Sequence, residues 1–445
     1  MANQTFMEGR SMKSQIITLQ ERVHAAPKPE SWQWDKLHQV FRVRRGNKNT
    51  GMREDNLLSL SYGRIVQKDI ETADGLLPEN FEGYQIVEPG NIVLRLTDLQ
   101  NDKRSLRQGL VTQRGIITSA YDAVEVQRDN DPRFWFYSLL ALDLAKHYYS
   151  LGSGVRQSVK FADFPNDWVY RPDLATQRRI ANFLDRETAR IDLLSEKKQR
   201  LVALLADKWA SVVENAISTK GKRTKLGHHI DILSGYAFPS SDFSTDPGNI
   251  RLLRGANVSP GSIRWDDTVY WSRDRLGEVS RFLLASGDVV LGMDRPWISS
   301  GIRVAEVTEQ DAPALLLQRV CRIEPRTTLD KKFMKLLLTS RQFLAYFEPI
   351  MTGVSVPHIS PDQVNSFRFE YVERGEQFRR ATSAERERER IIRVQQSTEK
   401  SIDRLKEYRS ALITAAVTGQ IDVTAYARSG TPDRRLDAIQ KEMSA

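Results

Sequence analysis

Residues 174–219 read LATQRRIANFLDRETARIDLLSEKKQRLVALLADKWASVVENAIST, a stretch that contains neither proline nor glycine. Hydrophobic residues recur in it at alternating spacings of three and four, at Ile180, Leu184, Ile191, Leu194, Leu201, Leu205 and Val212. This is the heptad spacing of a helix that packs against another helix along a narrow seam, and Glu187, Lys198 and Lys208 interrupt that seam. The stretch therefore predicts one helix about 68 Å long at ~1.5 Å per residue.

A second stretch near the end of the chain repeats this pattern. No proline or glycine falls between Glu376 and Thr418, and Thr398 and Arg409 interrupt its seam. The apolar seam residues, 211 positions after their counterparts, are Ile391, Ile402, Leu405 and Leu412. Two matching seams predict two long antiparallel helices in a coiled coil. Two helices that each pack on their own domain remain the alternative.

The chain also repeats itself outside these helices, which indicates an internal duplication. Four short anchors occur in the same order: residues 34–37 and 45–46 with 223–226 and 234–235, residues 89–94 with 286–291, residues 123–126 with 320–323, and residues 154–155 with 353–354. Their offsets rise only from 189 to 199. We therefore interpret residues 32–218 and 222–420 as two copies of one unit.

Most of each copy consists of short apolar runs broken by Gly, Pro, Asn and Asp, which is typical of strands and loops. One shorter helix is predicted in each copy, over residues 132–149 and 330–347. The segments at 134–140 and 333–338 are too apolar to be exposed. Their aromatic side chains could stack on bases, but the pattern favours packing in a core.

These features predict an α+β protein. It has two mixed α/β domains in a pseudo-twofold repeat, separated by two long antiparallel coiled-coil helices. The predicted segments are an N-terminal extension 1–31, a first domain 32–171, a first long helix 172–221, a second domain 222–378, a second long helix 379–425, and a tail 426–445 that we expect to be flexible.

The composition indicates a globular protein whose charge is unevenly placed. The 445 residues carry 66 basic and 57 acidic side chains, a net charge of +9, and the two strand-rich regions account for only +1 each. A DNA-binding face would therefore need its basic side chains concentrated together. The single cysteine, Cys321, cannot form an internal disulfide. With no apolar run near the ~20 residues of a membrane helix and no signal peptide, we expect a cytoplasmic protein.

The sequence lacks the motifs of the usual catalytic sites. It has no P-loop, and it has no Asn-Pro-Pro-aromatic or Asp-Pro-Pro-aromatic tetrapeptide of the kind that holds an exocyclic amine in a methyltransferase. Its six histidines and one cysteine show no metal-ligand spacing. We therefore expect a non-catalytic chain with no cofactor and no metal of its own.

What remains is recognition chemistry in loops that follow equivalent strands, at residues 98–107 and 293–297. Arg, Asn and Gln can make paired hydrogen bonds to base edges, whereas Lys mainly contacts phosphate. A merely solvated loop is the alternative for each. The candidate DNA-binding residues are Arg95, Asn101, Lys103, Arg104, Arg107, Arg156, Gln157, Arg254, Asn257, Arg295 and Arg303.

Over residues 32–425 the sequence resembles the specificity subunits of type I restriction-modification enzymes. The motifs are QRRIANFLD (177–185), ID (191–192), EKKQRL (196–201), SGYAFP (234–239), RGANV (254–258), GDVV (287–290) and VTG (417–419). The resemblance implies two target recognition domains, each of which reads one half of a split double-stranded DNA site. It also implies that the two helices dock two adenine methyltransferase subunits that carry S-adenosylmethionine. A motor and nuclease subunit that uses ATP and Mg would complete a restriction complex.

The second long helix departs from the motif of the first. Residues 385–390 stand where the first helix has 174–179, without Pro-Leu or the Gln before the isoleucine. The equivalence of the two methyltransferase docking sites is therefore open. An alternative function is a coiled-coil adaptor that presents two ligand-binding β domains without DNA specificity. Salt-dependent, sequence-selective DNA binding would distinguish the two functions.

Overall fold

A computed structural model describes residues 17–27, 29–70, 80–99, 106–151, 158–299, 301–350 and 357–442. These residues fall into two compact units. Unit 1 extends to Gln199 and resumes at Glu399, and unit 2 comprises Arg200–Thr398. The boundary crosses both long helices, so each unit contains a part of each helix.

Unit 1 combines short strands with one core helix. Its strands are β1 (Gln33–Lys36), β2 (Phe41–Val43), β3 (Leu58–Ser61), β4 (Arg64–Gln67), β5 (Gln85–Val87), β6 (Ile92–Leu94), β7 (Gln108–Leu110), β8 (Gly115–Ile117), β9 (Asp122–Val126) and β10 (Trp168–Arg171). Its shorter helices are α1 (Leu19–His24), α2 (Leu37–Val40) and α3 (Pro132–Leu144). The first long helix, α4 (Leu174–Ile217), follows β10.

Unit 2 repeats this arrangement with additional short strands. Its strands are β11 (Lys222–Lys225), β12 (Ile230–Ser234), β13 (Ile250–Leu253), β14 (Val258–Ser259), β15 (Ser262–Ile263), β16 (Tyr270–Trp271), β17 (Leu283–Leu284), β18 (Val289–Gly292), β19 (Trp297–Ile298), β20 (Gly301–Ile302), β21 (Val304–Glu306), β22 (Ala314–Leu316), β23 (Val320–Pro325) and β24 (Arg368–Tyr371). Its helices are α5 (Leu276–Val279), α6 (Lys331–Leu338), α7 (Arg341–Phe347) and α8 (Pro361–Ser366), and the second long helix, α9 (Arg374–Val417), follows β24. The last two helices, α10 (Val423–Arg428) and α11 (Thr431–Lys441), belong to unit 1.

The two units share one sheet topology, which confirms the internal repeat. The four-stranded sheet has the order β2-β9-β6-β7 in unit 1 and β12-β23-β18-β21 in unit 2. Neighbouring strands are antiparallel in both sheets. A separate two-stranded ladder, β1 with β10 or β11 with β24, joins the beginning of each repeat to the segment before its long helix. The anchors at an offset of 197 lie on β6 and β18 and on β9 and β23.

The sheet register corrects one anchor of the sequence alignment. Phe41 pairs with Val126 in unit 1, and Ile232 pairs with Ile323 in unit 2. Since β9 and β23 correspond at an offset of 197, Phe41 is equivalent to Ile232. Arg45 therefore corresponds to Tyr236 rather than to Ser234.

The predicted apolar helices form the cores, but both are shorter than expected. Phe134 and Trp135 in α3 and Phe333 in α6 are completely buried, which confirms the core interpretation. The helix α3 ends at Leu144, and a short 3-10 turn follows at residues 147–150. In unit 2 the segment divides into α6 and α7 because the hydroxyl of Ser340 accepts a hydrogen bond from Phe343 N–H and begins a new helix.

The long helices are confirmed, but their predicted alignment is wrong. Both contain 44 residues, and their first residues lie 200 positions apart rather than 211. Gln177 and Gln377 are both fully buried at this offset. Eleven residues complete about three helical turns, so a shift of eleven leaves the apolar seam on nearly the same face. Lys198 consequently corresponds to Thr398, and both side chains are buried.

The long helices run antiparallel where they meet in unit 2. Lys208 of α4 forms an ion pair with Glu387 of α9, with 2.5 Å between Nζ and Oε1. Directly after the end of α4, the carbonyl of Ser218 accepts a hydrogen bond from Arg380, which lies earlier in α9 than Glu387. In unit 1, Arg409 of α9 donates to Asp192 of α4 at 3.0 Å.

The predicted flexible tail is instead helical up to Lys441, within the part that the structure describes. Tyr426 of α10 contacts Phe183 of α4 with 6.1 Å between ring centroids, and Asp433 of α11 pairs with Arg190. Leu436 is buried in the core of unit 1. The tail is ordered because its apolar face covers α4 and α9. None of the described helices is long and apolar enough to cross a membrane.

Candidate nucleic-acid interface

Three strand termini meet at one end of the four-stranded sheet of unit 1. Because β9 is antiparallel to both β2 and β6, its first residue lies beside the last residues of those strands. Leu94 pairs with Asp122, and Arg44 N–H donates to the carbonyl of Ala123 at 2.9 Å. We call this region the sheet end of unit 1; it comprises Arg44, Arg45, Arg95 and Asp122.

The equivalent end of the unit 2 sheet also carries arginines. Gly292 N–H donates to the carbonyl of Arg303 at 2.9 Å, and Met293 N–H donates to that of Arg319 at 2.8 Å. Arg295 follows two residues later in the same loop. We call this region the sheet end of unit 2; it comprises Arg295, Arg303 and Arg319. The fold thus brings arginines from separate strands to the same place in both units.

Arg303 is partly buried at the sheet end of unit 2. Its Nη1 donates to the carbonyl of Gly255 at 3.0 Å, while its buried Nε has no hydrogen-bond acceptor in the described part of the chain. Burial lowers the pKa of Arg303, and the positive charges of Arg295 and Arg264 lower that pKa further. The guanidinium of Arg303 therefore lies close enough to those of Arg295 and Arg264 to be repelled by both. An anion placed between them would relieve that repulsion.

Arg254 lies next to this group, and its positive charge is partly compensated. Its Nη2 forms an ion pair with Asp267 at 2.8 Å, whereas its buried Nε has no acceptor among the described residues. Asn257, in contrast, is only 3% exposed. The Asn257 side chain donates to the carbonyl of Arg264 at 2.9 Å and accepts from Arg254 N–H at 3.0 Å. The prediction that Asn257 contacts DNA is therefore wrong, because its amide holds its own loop together.

The prediction for Arg107 is also wrong, because this side chain points into the core of unit 1 and is completely buried. Its guanidinium donates to the hydroxyl of Tyr149 at 3.2 Å and to the carbonyls of Thr97 and Asp98. Its backbone N–H donates to Asp143 Oδ2 at 2.5 Å. Burial raises the pKa of Asp143 to about 6, although the hydrogen bond from Arg107 opposes that shift.

Arg95 remains at the sheet end of unit 1, where it is half-buried. Its guanidinium lies 6.0 Å from the centroid of the Tyr121 ring, and its N–H donates to the Arg107 carbonyl at 2.7 Å. Five candidates lie outside the described residues: Asn101, Lys103, Arg104, Arg156 and Gln157. Sequence reasoning missed Arg44, Arg45, Arg264 and Arg319. Only the first two had a local signal, a pair of basic residues directly after a strand.

Comparisons with known proteins show similarity to the specificity subunits of type I restriction enzymes. No protein-family model matches the chain. The chain is 34% identical over 156 residues to the specificity subunit of the type I restriction enzyme EcoAI from Escherichia coli, over 35% of this chain and 26% of that protein. It is 26% identical over 367 residues to the type I restriction enzyme MjaVIII specificity subunit from Methanocaldococcus jannaschii, over 76% of this chain and 82% of that protein.

The fold is shared with a solved structure. A chain from a study of complex assembly and conformational transition of the type I R-M system superposes with a TM-score of 0.68 and 14% identity. The match covers 89% of this chain and all of the other. The resemblance predicted from the sequence motifs is thus confirmed, as is the α+β fold with two long helices.

Proposed function

This chain is related in sequence to type I restriction enzyme specificity subunits. We propose that it is the DNA sequence-recognition subunit of a type I restriction-modification complex. Each unit reads one half of a bipartite double-stranded site. Arg95 serves unit 1, and Arg254, Arg295 and Arg303 serve unit 2. The names of the relatives support the corresponding expectation that the chain itself is non-catalytic.

The observation that carries this proposal is the arginine-bearing sheet end, which occurs once in each unit. The topology is repeated, but the side chains differ: Arg95 lies beside Tyr121 in unit 1, while Arg303 lies beside Arg295 and Arg264 in unit 2. A repeated scaffold with different recognition side chains is suited to two different half-sites. Guanidinium groups also match both phosphate oxygens and the acceptor edge of guanine.

The long helices and the partners complete the proposal. Because α4 and α9 each contribute to both units, their length would set the spacing of the two half-sites. Two adenine methyltransferase subunits would dock on these helices and carry S-adenosylmethionine. Up to two motor and nuclease subunits, which use ATP and Mg, would join them for restriction. The proposed recognition domains are those predicted from the sequence, residues 32–171 and 222–378, and the long helices span residues 174–217 and 374–417.

Mapping of DNA methylation tests this function. The chain and its methyltransferase partner would be expressed in a host that lacks adenine methylation, and modified adenines would be located by sequencing. We expect one motif with two defined halves and an undefined spacer. Exchange of residues 32–171 for those of a relative should change one half, and exchange of residues 222–378 should change the other. A motif without halves, or no methylation together with no sequence-selective binding, would contradict the proposal.

A further inference from the structure

A groove with a volume of about 660 Å³ runs along β2, the edge strand of the unit 1 sheet. It extends from His38, before the strand, to Arg45, beyond its end. Phe41 and Phe161 contribute apolar surface, and Arg42, Arg44 and Arg45 contribute charge. The groove therefore reaches the sheet end of unit 1 at Arg44 and Arg45.

The charge of this groove is largely uncompensated. Glu125 is the one carboxylate in its lining, and it stands opposite Arg42 in the register of β2 and β9. The side chains of Arg44 and Arg45 form no hydrogen bond or ion pair within the described ranges of the chain. Guanidinium groups that outnumber their counter-charges are suited to an external anion.

The fold does not require these arginines. In the sheet register, Arg42, Arg44 and Arg45 correspond to Leu233, Gly235 and Tyr236 of unit 2. None of these three counterparts is charged. An otherwise equivalent edge strand thus forms without a basic residue at any of these positions. We therefore infer that the three arginines of unit 1 serve a role other than folding.

We propose that this groove binds the phosphodiester backbone of DNA, through Arg44 and Arg45, beside the bases read by unit 1. The inference rests on the proposed DNA-recognition function and adds an asymmetry to it: unit 1 carries arginines for the DNA backbone at positions where unit 2 has the uncharged residues Leu233, Gly235 and Tyr236. The planar guanidinium can donate two parallel hydrogen bonds to the oxygens of one phosphate. Contacts of this kind fix the position of the protein on the duplex without reading its sequence.

The test measures binding of the full-length chain, purified with its methyltransferase partner, to a labelled mixed-sequence duplex over a range of salt concentrations. Each phosphate neutralised contributes ~0.9 to the slope of log affinity against log salt. The double variant R44Q/R45Q should therefore reduce the slope by about 1.8 and weaken binding roughly tenfold or more at ~0.15 M salt. The loss should be the same on the duplex that contains the methylated motif.

Two further variants separate the possible outcomes. K222Q/K225Q removes the same charge from exposed residues of β11, which pairs with β24 rather than with the four-stranded sheet, and should leave the slope unchanged. R44K/R45K should retain the slope, because lysine also neutralises phosphate. An unchanged slope in R44Q/R45Q would overturn the groove proposal even if the methylated motif is intact. A changed half-site in R44K/R45K would overturn it as well, since it would indicate base reading. A parent complex with no sequence preference would contradict the proposed function itself.

Discussion

Gln177, in the first turn of α4, accepts a hydrogen bond at 2.8 Å from the backbone N–H of Asp131, the residue that caps α3. Gln377 of α9 makes the same 2.8 Å contact with Asp330, the cap of α6. Both amides are completely buried, and each also donates to a carbonyl five residues earlier. One buried glutamine thus joins each long helix to the core helix of its unit.

Gln177→Ala should destabilise unit 1 by about 1–3 kcal/mol, because the N–H of Asp131 and the carbonyl of Pro172 would be left buried without partners. Gln377→Ala should have a similar effect in unit 2. Denaturant unfolding of the full chain measures the change. The control is Gln199→Ala, an exposed glutamine on α4. A loss no larger than that of the control would refute the joining role.

Arg107→Met should destabilise unit 1 by about 3–5 kcal/mol while the sequence preference of the folded protein stays the same. The change removes a buried guanidinium together with its hydrogen bonds to Tyr149, Thr97 and Asp98, and it takes a nearby positive charge away from the buried carboxyl of Asp143. Unfolding curves and the methylated motif provide the two readouts. A stable variant with an altered half-site would show that Arg107 reaches DNA after all.

Arg303→Ala should relax the sequence preference of one half-site, at a cost of about 1–3 kcal/mol in binding to the preferred site. The other half-site should not change, because the residue belongs to unit 2 alone. Competition binding with single-base variants of the methylated motif measures the effect. Arg281→Ala, at an exposed arginine of the same unit beside Phe282, is the control. Equal losses on all duplexes would instead assign Arg303 to the phosphate backbone.

The stability of unit 1 should depend on pH through Asp143. Burial raises its pKa from 3.8 to about 6, so the folded protein retains a proton that the unfolded chain releases. The protonated carboxyl therefore contributes stability that is fully present below pH ~4 and is lost as pH rises towards 6, up to about 3 kcal/mol. Asp143→Asn should remove this decline. Denaturant unfolding of the parent and of Asp143→Asn from pH 4 to 7 gives the difference between their free energies of unfolding. That difference would not change with pH if the carboxyl were ionised throughout.

Local periodicity was sufficient to predict the long helices and the internal repeat. The seam from Ile180 to Val212 needs a helical partner whatever the rest of the chain does, and the anchors on β6 and β18 mark equivalent strands. Periodicity was not sufficient to align the two helices. Because eleven residues return the seam to the same face, the offsets of 200 and 211 look alike until Gln177 and Gln377 are placed in their cores.

The binding surface depended on contacts that no local pattern contains. Arg95 and Arg107 are joined by a backbone hydrogen bond, yet only the Arg107 side chain is completely buried, where its guanidinium donates to the hydroxyl of Tyr149. Arg303 meets Arg264 and Arg295 only when separate strands are paired. A pattern of residue types and spacings can predict a helix because a helix depends on interactions between residues that are close together in the chain. Whether an arginine is exposed, and which charged groups lie near it, depends on residues tens of positions away in the chain, which only the folded sheet brings together.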